Sequence, residues 1–401
     1  MTNISPIKRR HPLAKWLIRA KAAVLRAWQP VRQRFRKPAD PFQLNGPVPS
    51  EGEPLAFALL QSLGVRFDAG HSVSWILNGD VFEALEKEIA EARSSIHVLM
   101  YIWKEGTASD RIVRALVERA SAGVACRIVV DPFGSSDFDD TVRAPLEAAG
   151  CEIRTFRPLS GKHKAARNHR KLVVIDGARA VTGGFGIRDN WLGDGVHDEK
   201  WRDSSVRFAG PSVADAQQAF AENWQEAGGN LLPREAFPSI APEGHARAAF
   251  VSSTGAALTR AERLTQLLIA AATHRIWISN AYFVPTRGIA EQLRVKATAG
   301  VDVRILVPGK RSDSKTSFGV QRTSEYGPLL KAGARVWEYQ SSMMHAKTML
   351  VNDSLVLVGS INLDPLSLSV LEECALVTED RALAQELARA FAIDCAHATE
   401  R

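Results

Sequence analysis

Two short segments of this 401-residue chain pair a histidine with a lysine at the same spacing. His169 and Lys171 stand two residues apart inside an apolar run, and His345 and Lys347 repeat the arrangement later in the chain. Side chains two residues apart on a β-strand point to the same face of the sheet. Each segment therefore offers a nucleophile or proton carrier beside a fixed cation.

These residue types suit the transfer of an anionic phosphodiester. Two lysines can neutralise the charge that the non-bridging phosphate oxygens carry into the transition state. One neutral histidine can attack phosphorus and form a phosphohistidine, while the other protonates the leaving oxygen and then takes a proton from the incoming hydroxyl. No cysteine or histidine cluster has metal-ligand spacing, so the pattern predicts chemistry that needs neither metal nor cofactor.

A histidine nucleophile works best when a carboxylate fixes its tautomer. Asp203 follows the first His-Lys segment and Glu373 follows the second, at matching places. The matching placement predicts that these two carboxylates orient the histidines. A solvated surface position is the alternative for either residue.

A turn of small residues follows each His-Lys segment, at 182–184 and at 359–362. Small residues allow a ligand to approach the backbone, and a hydroxyl or an amide can bond its oxygens. Gly184, Ser360 and Asn362 are therefore predicted to bind substrate.

The segments around these motifs also occur twice in the same order. An apolar strand, a helical pattern and two further strands occupy 96–103, 109–121, 127–131 and 152–156, and then 276–283, 288–298, 303–307 and 334–339. Alternating strands and helices predict α/β units with largely parallel sheets. The predicted domains are a basic arm over 1–40, a first unit over 41–232, a connector over 233–246 and a second unit over 247–401.

The positive charge of the chain is concentrated in the arm. Residues 1–40 hold 11 Lys/Arg and one acid, a net charge of +10, so the rest of the chain carries 7 − 10 = −3. This balance makes nucleic acid an unlikely partner of the body. From Pro12 to Trp28 the apolar residues recur at helical spacing opposite basic ones, which predicts a helix lying on an anionic membrane. A solvated tail and an organelle transit peptide are the alternatives.

With these residues in view, the sequence resembles the phospholipase D superfamily, whose signature is H-x-K-x4-D, usually present twice. The first copy matches through Asp176, which the resemblance adds to the catalytic motif, and the second has Asn352 at that place. The family turn pattern ends in an asparagine, where the first copy has Gly186. The resemblance therefore implies that this phosphate contact is either absent from the first copy or supplied by another residue, with Asn168 and Asn190 as the candidates.

Within that superfamily the sequence is most similar to bacterial cardiolipin synthases of the short type without transmembrane helices. Segments 78–80, 101–103, 201–203, 280–283 and 362–367 carry the likeness, which spans roughly 55–395. It implies two α/β/α domains related by a pseudo-twofold axis, with the active site at their interface. It further implies a peripheral enzyme on the cytoplasmic face of the cell membrane that joins phospholipid substrates into cardiolipin, with His169 as nucleophile and His345 as acid and base.

Other functions remain compatible with the same motifs. They are a hydrolytic phospholipase D, a metal-independent nuclease and a non-catalytic membrane-binding protein. No obligate protein partner is inferred. Near the motifs, Phe185, Phe318, Met343 and Met344 could line an acyl channel or pack in a core. The four cysteines are expected to be free thiols.

Overall fold

The structure is a computed structural model that describes residues 44, 46–159, 166–197, 199–256, 258–313 and 326–401. The chain divides into two units, Met1–Gln43 and Leu44–Arg401, and the fold below is that of the second. The predicted amphipathic arm and Phe318 lie outside the described residues. Within the described ranges, no helix combines the length and apolarity needed to cross a bilayer.

The sheet of the first half has central strands that are buried on both faces. Every residue of β2 and β5 is buried, which explains the continuous apolar sequence of β5 and the mostly apolar sequence of β2. Its strands are β1 (Asp68–Leu77), β2 (Ser95–Met100), β3 (Ala125–Val130), β4 (Glu152–Thr155), β5 (Leu172–Ile175), β6 (Arg179–Gly183) and β7 (Ser204–Ala209). Its helices are α1 (Gly52–Leu63), α2 (Asp80–Ala90), α3 (Thr107–Ser121), α4 (Asp140–Ala148) and α5 (Val213–Glu226).

The second half repeats this series of elements. Its strands are β8 (Ala246–Ser253), β9 (Arg275–Asn280), β10 (Asp302–Pro308), β11 (Arg335–Tyr339), β12 (Lys347–Val351), β13 (Leu355–Gly359), β14 (Glu373–Glu379) and β15 (Ala398–Glu400). Its helices are α6 (Arg260–Ala271), α7 (Arg287–Thr298), α8 (Pro365–Ser369) and α9 (Arg381–Ala396), with a further helical turn over 326–331. Short 3₁₀ turns occupy Asp189–Trp191 and Arg234–Ala236.

The strand order shows the duplication directly. One half runs β4-β3-β2-β5-β6-β7-β1 and the other β11-β10-β9-β12-β13-β14-β8, with β1 and β8 paired antiparallel where the halves meet. The predicted α/β fold with two equivalent halves is therefore confirmed.

The prediction of largely parallel sheets is wrong. Among the strands of the described residues, only β2–β3–β4 and β9–β10–β11 pair in parallel, and the other strand pairs are antiparallel. The reason lies in the strands that follow the His-Lys segments. Each turns back through a short hairpin to its neighbour, which forces an antiparallel pair, whereas parallel pairing needs a long crossover.

Three large cores hold the layers together. One lies between the first half-sheet and α2, α3 and α4, and a second lies under α6 and α7 in the other half. The third lies between the two half-sheets, where Val206 and Phe208 of β7 pack near Val356 and Val358 of β13. Helix α1 comes before the strands of the first half in the sequence, but its Leu55 is buried in the core of the second half. The predicted domain boundaries stay predictions.

Asp176 supports the architecture at the end of β5 remote from Lys171. Its backbone is left-handed (φ 54°), and its carboxylate accepts hydrogen bonds from the backbone N–H groups of Arg93, Ser94 and Ser95 at 2.7–3.1 Å. These bonds tie the β5–β6 turn to the start of β2. The grouping of Asp176 with the catalytic residues therefore needs correction, because its carboxylate serves the backbone at the far end of the strand.

Asn352 does the same work in the second half, which explains the departure from the family signature. Its φ is 52°, and its Oδ1 accepts from the N–H groups of Thr273 (2.9 Å) and His274 (3.3 Å). Its Nδ2 also donates to the carbonyl of Ala271 at 3.2 Å, a bond that a carboxylate could not make.

We expect Asp176→Ala to lower the free energy of unfolding by about 2 kcal/mol, because it leaves several backbone donors without an acceptor. Urea denaturation of the full chain measures the loss. Asp353→Ala is the matched control, since the exposed Asp353 side chain forms ion pairs with His274 and Arg275, and ion pairs at the surface contribute little. If both variants lowered the free energy of unfolding by the same small amount, the Asp176 carboxylate would not stabilise the turn as described.

Candidate active site

Backbone bridges bind each His-Lys segment to the opposite half of the fold. Asn168 pairs in parallel with Glu372, and Met344 pairs in parallel with Arg202. Within these bridges the N–H of His169 donates to the carbonyl of Glu372 at 2.8 Å, and the N–H of His345 donates to the carbonyl of Arg202 at 2.7 Å. His169 is thereby placed beside Glu373, and His345 is placed beside Asp203.

Glu373 and Asp203 are the two predicted carboxylates, and the pairing crosses between the halves. His169 Nδ1 lies 2.9 and 3.0 Å from the two carboxylate oxygens of Glu373. His345 Nδ1 lies 2.8 Å from Asp203 Oδ2. Each half thus supplies one histidine and the carboxylate that orients the other half's histidine.

Further hydrogen bonds fix the carboxylate of Glu373. Ser367 Oγ donates to its Oε1 at 2.6 Å, and Ser360 Oγ donates to its Oε2. Ser360, predicted to bind substrate, therefore contacts the carboxylate that orients His169. Its hydroxyl serves Glu373 in this structure.

Asp203 is held by a different set of groups. Trp191 Nε1 donates to its Oδ2 at 2.7 Å and the Ser204 N–H donates to its Oδ1 at 2.8 Å. A Cβ atom at Gly184 would lie 2.2 Å from Asp203 Oδ1, so the glycine gives the carboxylate its space. Gly184, also predicted to bind substrate, contacts Asp203.

Gly186 has a comparable steric reason. A Cβ atom there would lie 3.0 Å from both Ile102 Cβ and Trp191 Cζ3. An asparagine at this position would displace the tryptophan that bonds Asp203. The glycine in place of the family asparagine therefore leaves room for Trp191.

The electrostatics favour neutral histidines bound to ionised carboxylates. Burial lowers the pKa of His169 and of His345 to about 4, against the opposing effect of their carboxylates. Burial would raise the pKa of Glu373 and Asp203, but hydrogen bonds from the adjacent histidines and the neighbouring lysine charges hold both pKa values below their ordinary values. A carboxylate only accepts hydrogen bonds, so each Nδ1 carries the proton and each Nε2 is the unprotonated nitrogen. The Nε2 of His345 lies 3.2 Å from Lys347 Nζ.

The two lysines form the cationic part of the site. Lys171 Nζ donates to the carbonyl of His169 at 2.6 Å and lies 5.0 Å from the centre of the Tyr101 ring. Lys347 Nζ lies 3.0 Å from His345 Nδ1 and donates to the carbonyl of the same residue. Burial lowers the pKa of Lys171 to about 7 and that of Lys347 to about 8. An anion bound between them would raise both pKa values.

The two predicted asparagines each have a buried amide atom without a protein partner in the described part of the chain. Asn168 bonds the Arg170 N–H through Oδ1, at 3.0 Å, and its Nδ2 has no acceptor. Asn362 Oδ1 has no donor. Asn168 Nδ2 is suited to donate to a phosphate oxygen. Asn190 uses its backbone carbonyl to accept from the Trp201 N–H at 2.7 Å.

Sequence reasoning missed the aromatic side chains around the histidines. The rings of Trp191, Trp201 and Tyr282 lie 5.2, 5.0 and 6.3 Å from that of His345, and Tyr101 lies 4.8 Å from His169. Tyr101, Trp201 and Tyr282 belong to segments that resemble the family, and this resemblance could have identified them as site residues.

The acyl-channel alternative is wrong for the three described residues to which it applied. Phe185 and Met343 are buried in the core of the first half, and Met344 is buried in a small cluster with Leu306 and Tyr339. Their side chains therefore fill cores.

Comparison with known proteins identifies the family of this chain. Residues 85–224 and 266–395 match the family described as "Cardiolipin synthase, PLD-like domain". Cardiolipin synthase 1 of Bacillus cereus is 33% identical over 340 residues, which cover 81% of this chain and 66% of that protein. Cardiolipin synthase A of Pseudomonas entomophila is 32% identical, over 83% of this chain and 70% of that protein.

A solved structure agrees at the level of the fold. Phosphatidylserine synthase of Haemophilus influenzae superimposes with a TM-score of 0.64 at 16% identity, over 82% of this chain and 87% of that one. The chain belongs to the phospholipase D-like family of the cardiolipin synthases, as its paired motifs predicted. It spans just under two thirds of the length of the Bacillus cereus relative.

Proposed function

We propose that this protein is a phosphatidyl transferase that makes cardiolipin from phosphatidylglycerol, or a related donor, through a phosphohistidine. The observation that carries the proposal is the pair of buried histidines whose Nδ1 atoms are bound by crossed carboxylates, with two lysines beside them. Membership of a family whose curated members are cardiolipin synthases supports the choice of lipid.

In the first step, His169 Nε2 attacks the donor phosphorus. The phosphorus–nitrogen bond forms as the bond from phosphorus to the headgroup oxygen breaks. The leaving oxygen takes a proton from His345, which must be protonated in the substrate complex. A bound phosphodiester supplies the negative charge that raises the pKa of His345 from its low value in the empty site.

In the second step, the acceptor hydroxyl gives its proton to His345 and attacks the phosphohistidine. The new phosphorus–oxygen bond forms as the phosphorus–nitrogen bond breaks, which frees His169. The proton gained by His345 replaces the one it donated, so the cycle neither consumes nor releases protons. With phosphatidylglycerol as donor and acceptor, the products are cardiolipin and glycerol.

The surrounding groups stabilise the charge that develops on the phosphate. Lys171 and Lys347 face the same site and become fully charged when an anion binds. Glu373 keeps His169 in the tautomer that attacks, and Asp203 stabilises the His345 imidazolium. The histidines are only 7% and 3% exposed, which favours an acceptor alcohol over bulk water.

Incubation of the purified full chain with phosphatidylglycerol vesicles should yield cardiolipin and glycerol, measured by mass spectrometry. His169→Ala and His345→Ala should each lower the rate by at least about 10³-fold, because each removes a group that forms or breaks a bond. Phosphatidic acid as the sole product would indicate a hydrolase instead. Metal-independent cleavage of DNA or RNA without lipid turnover would indicate a nuclease, and vesicle binding without turnover a non-catalytic protein.

Peripheral binding to the cytoplasmic face of the membrane is part of the proposal, supported by the +10 charge of residues 1–40. Deletion of 1–40 should weaken binding to anionic vesicles by at least tenfold in sedimentation assays. Turnover of a detergent-dispersed short-chain phosphatidylglycerol should change little. Equal vesicle binding by the two proteins would refute the role of the arm.

A further inference from the structure

One acidic residue near His345 has no role in the chemistry described above. Asp313 lies in the loop after β10, and its side chain is exposed. Tyr282 donates its phenolic hydroxyl to this carboxylate, at 2.9 and 2.8 Å from the two oxygens. The Tyr282 ring in turn stands edge-on to the His345 ring, with centroids 6.3 Å apart.

A carboxylate at this place opposes the binding of an anionic phosphate, so it requires an explanation. The other acids near the described part of the site are buried and engaged. Asp203 and Glu373 bind the histidines, Asp364 accepts the Leu366 and Ser367 N–H groups that start α8, and Asp131 accepts the Asn168 and Phe133 N–H groups. Asp313 instead presents an exposed carboxylate that retains lone pairs for further donors.

The repeated fold does not require an acid there. The first pair between the equivalent strands is Ser95–Ala125 in one half and Arg275–Asp302 in the other, so Ala125 corresponds to Asp302. The same number of residues further along the chain leads to Ser136 in the first half and to Asp313 in the second. Ser136 accepts a hydrogen bond from Lys104. The neighbouring Asp137 forms an ion pair with the same lysine at 3.0 Å, whereas Asp313 accepts from the phenol of Tyr282.

We propose that Asp313, oriented by Tyr282, is a subsite for the hydroxyl-rich headgroup of the acceptor lipid. The carboxylate accepts a hydrogen bond from one hydroxyl of a glycerol-type headgroup. The neighbouring hydroxyl of the same headgroup is then directed to His345 Nε2, which takes its proton as that oxygen attacks the phosphohistidine. Burial raises the pKa of Tyr282 well above its ordinary value, so the phenol stays a donor throughout the working range.

This subsite rests on the proposed transferase function, and it specifies which acceptor alcohols the enzyme prefers. The competing account is electrostatic, because the Asp313 charge also acts to raise the pKa of His345 and Lys347. An effect through His345 would alter transfer to every alcohol alike. A hydrogen bond to the headgroup would alter only transfer to alcohols that carry a second hydroxyl.

The test compares 1,2-propanediol with 1-propanol as acceptors, using phosphatidylglycerol vesicles and the full chain. The two alcohols match in carbon skeleton and differ by one hydroxyl. The native protein should favour the diol, and Asp313→Ala should lower the ratio of the two transfer rates by about tenfold, since a hydrogen bond to a charged group is lost. Tyr282→Phe should lower the same ratio by a smaller factor.

Asp353→Ala, which removes an exposed aspartate at the far end of β12, is the control and should leave the ratio unchanged. A native ratio near one would overturn the subsite, and so would an equal fall of both rates in Asp313→Ala. Absence of both phosphatidyl alcohols and of cardiolipin from the native protein would instead overturn the proposed transferase function, and the subsite with it.

Discussion

The exchange of carboxylates between the two halves is the constraint on which the site depends. Glu373 of the second half orients His169, and Asp203 of the first half orients His345. Removal of either half would leave a histidine without the carboxylate that orients it, and a carboxylate without the imidazole that donates to it. The shared core between the half-sheets and the two backbone bridges therefore serve the chemistry directly, because they set the distances at which the crossed pairs form.

Around this shared frame the two copies have diverged in compensating ways. The shorter Asp203 approaches a bare glycine, Gly184, and binds an indole N–H, whereas the longer Glu373 is bound by the hydroxyls of Ser360 and Ser367. Asn352 likewise replaces the carboxylate of Asp176 and keeps its backbone bonds, because an amide oxygen also accepts from N–H groups. Such differences give the two histidines unlike surroundings, with more aromatic rings around His345. These different surroundings are consistent with the different roles proposed for His169 and His345.

Much of this could be predicted from local pattern. The strands that follow the His-Lys segments, the order of the repeat and the two carboxylates all follow from spacing and from matching positions in the copies. The prediction that the histidines themselves lie on strands is wrong, because His169 and Lys171 precede β5 and His345 precedes β12. The crossing could not be predicted, because it depends on how the halves dock and joins residues more than a hundred positions apart. The antiparallel hairpins and the placement of α1 in the second core were missed for the same reason. Trp191 bears no counterpart in the other copy, so the repeat gave no signal for it.

The central claim is that burial keeps each histidine neutral in the empty site and that a carboxylate of the opposite half holds its proton on Nδ1. The most direct measurement is ¹⁵N NMR of the full chain labelled at its 10 histidines, with signals assigned through His169→Ala and His345→Ala. The account predicts Nδ1–H tautomers at pH 7 that become protonated only near pH 4. Glu373→Gln should alter the tautomer signal of His169 and leave that of His345 in place. Imidazolium signals at pH 7, Nε2–H tautomers, or a response of His345 alone to Glu373→Gln would contradict it.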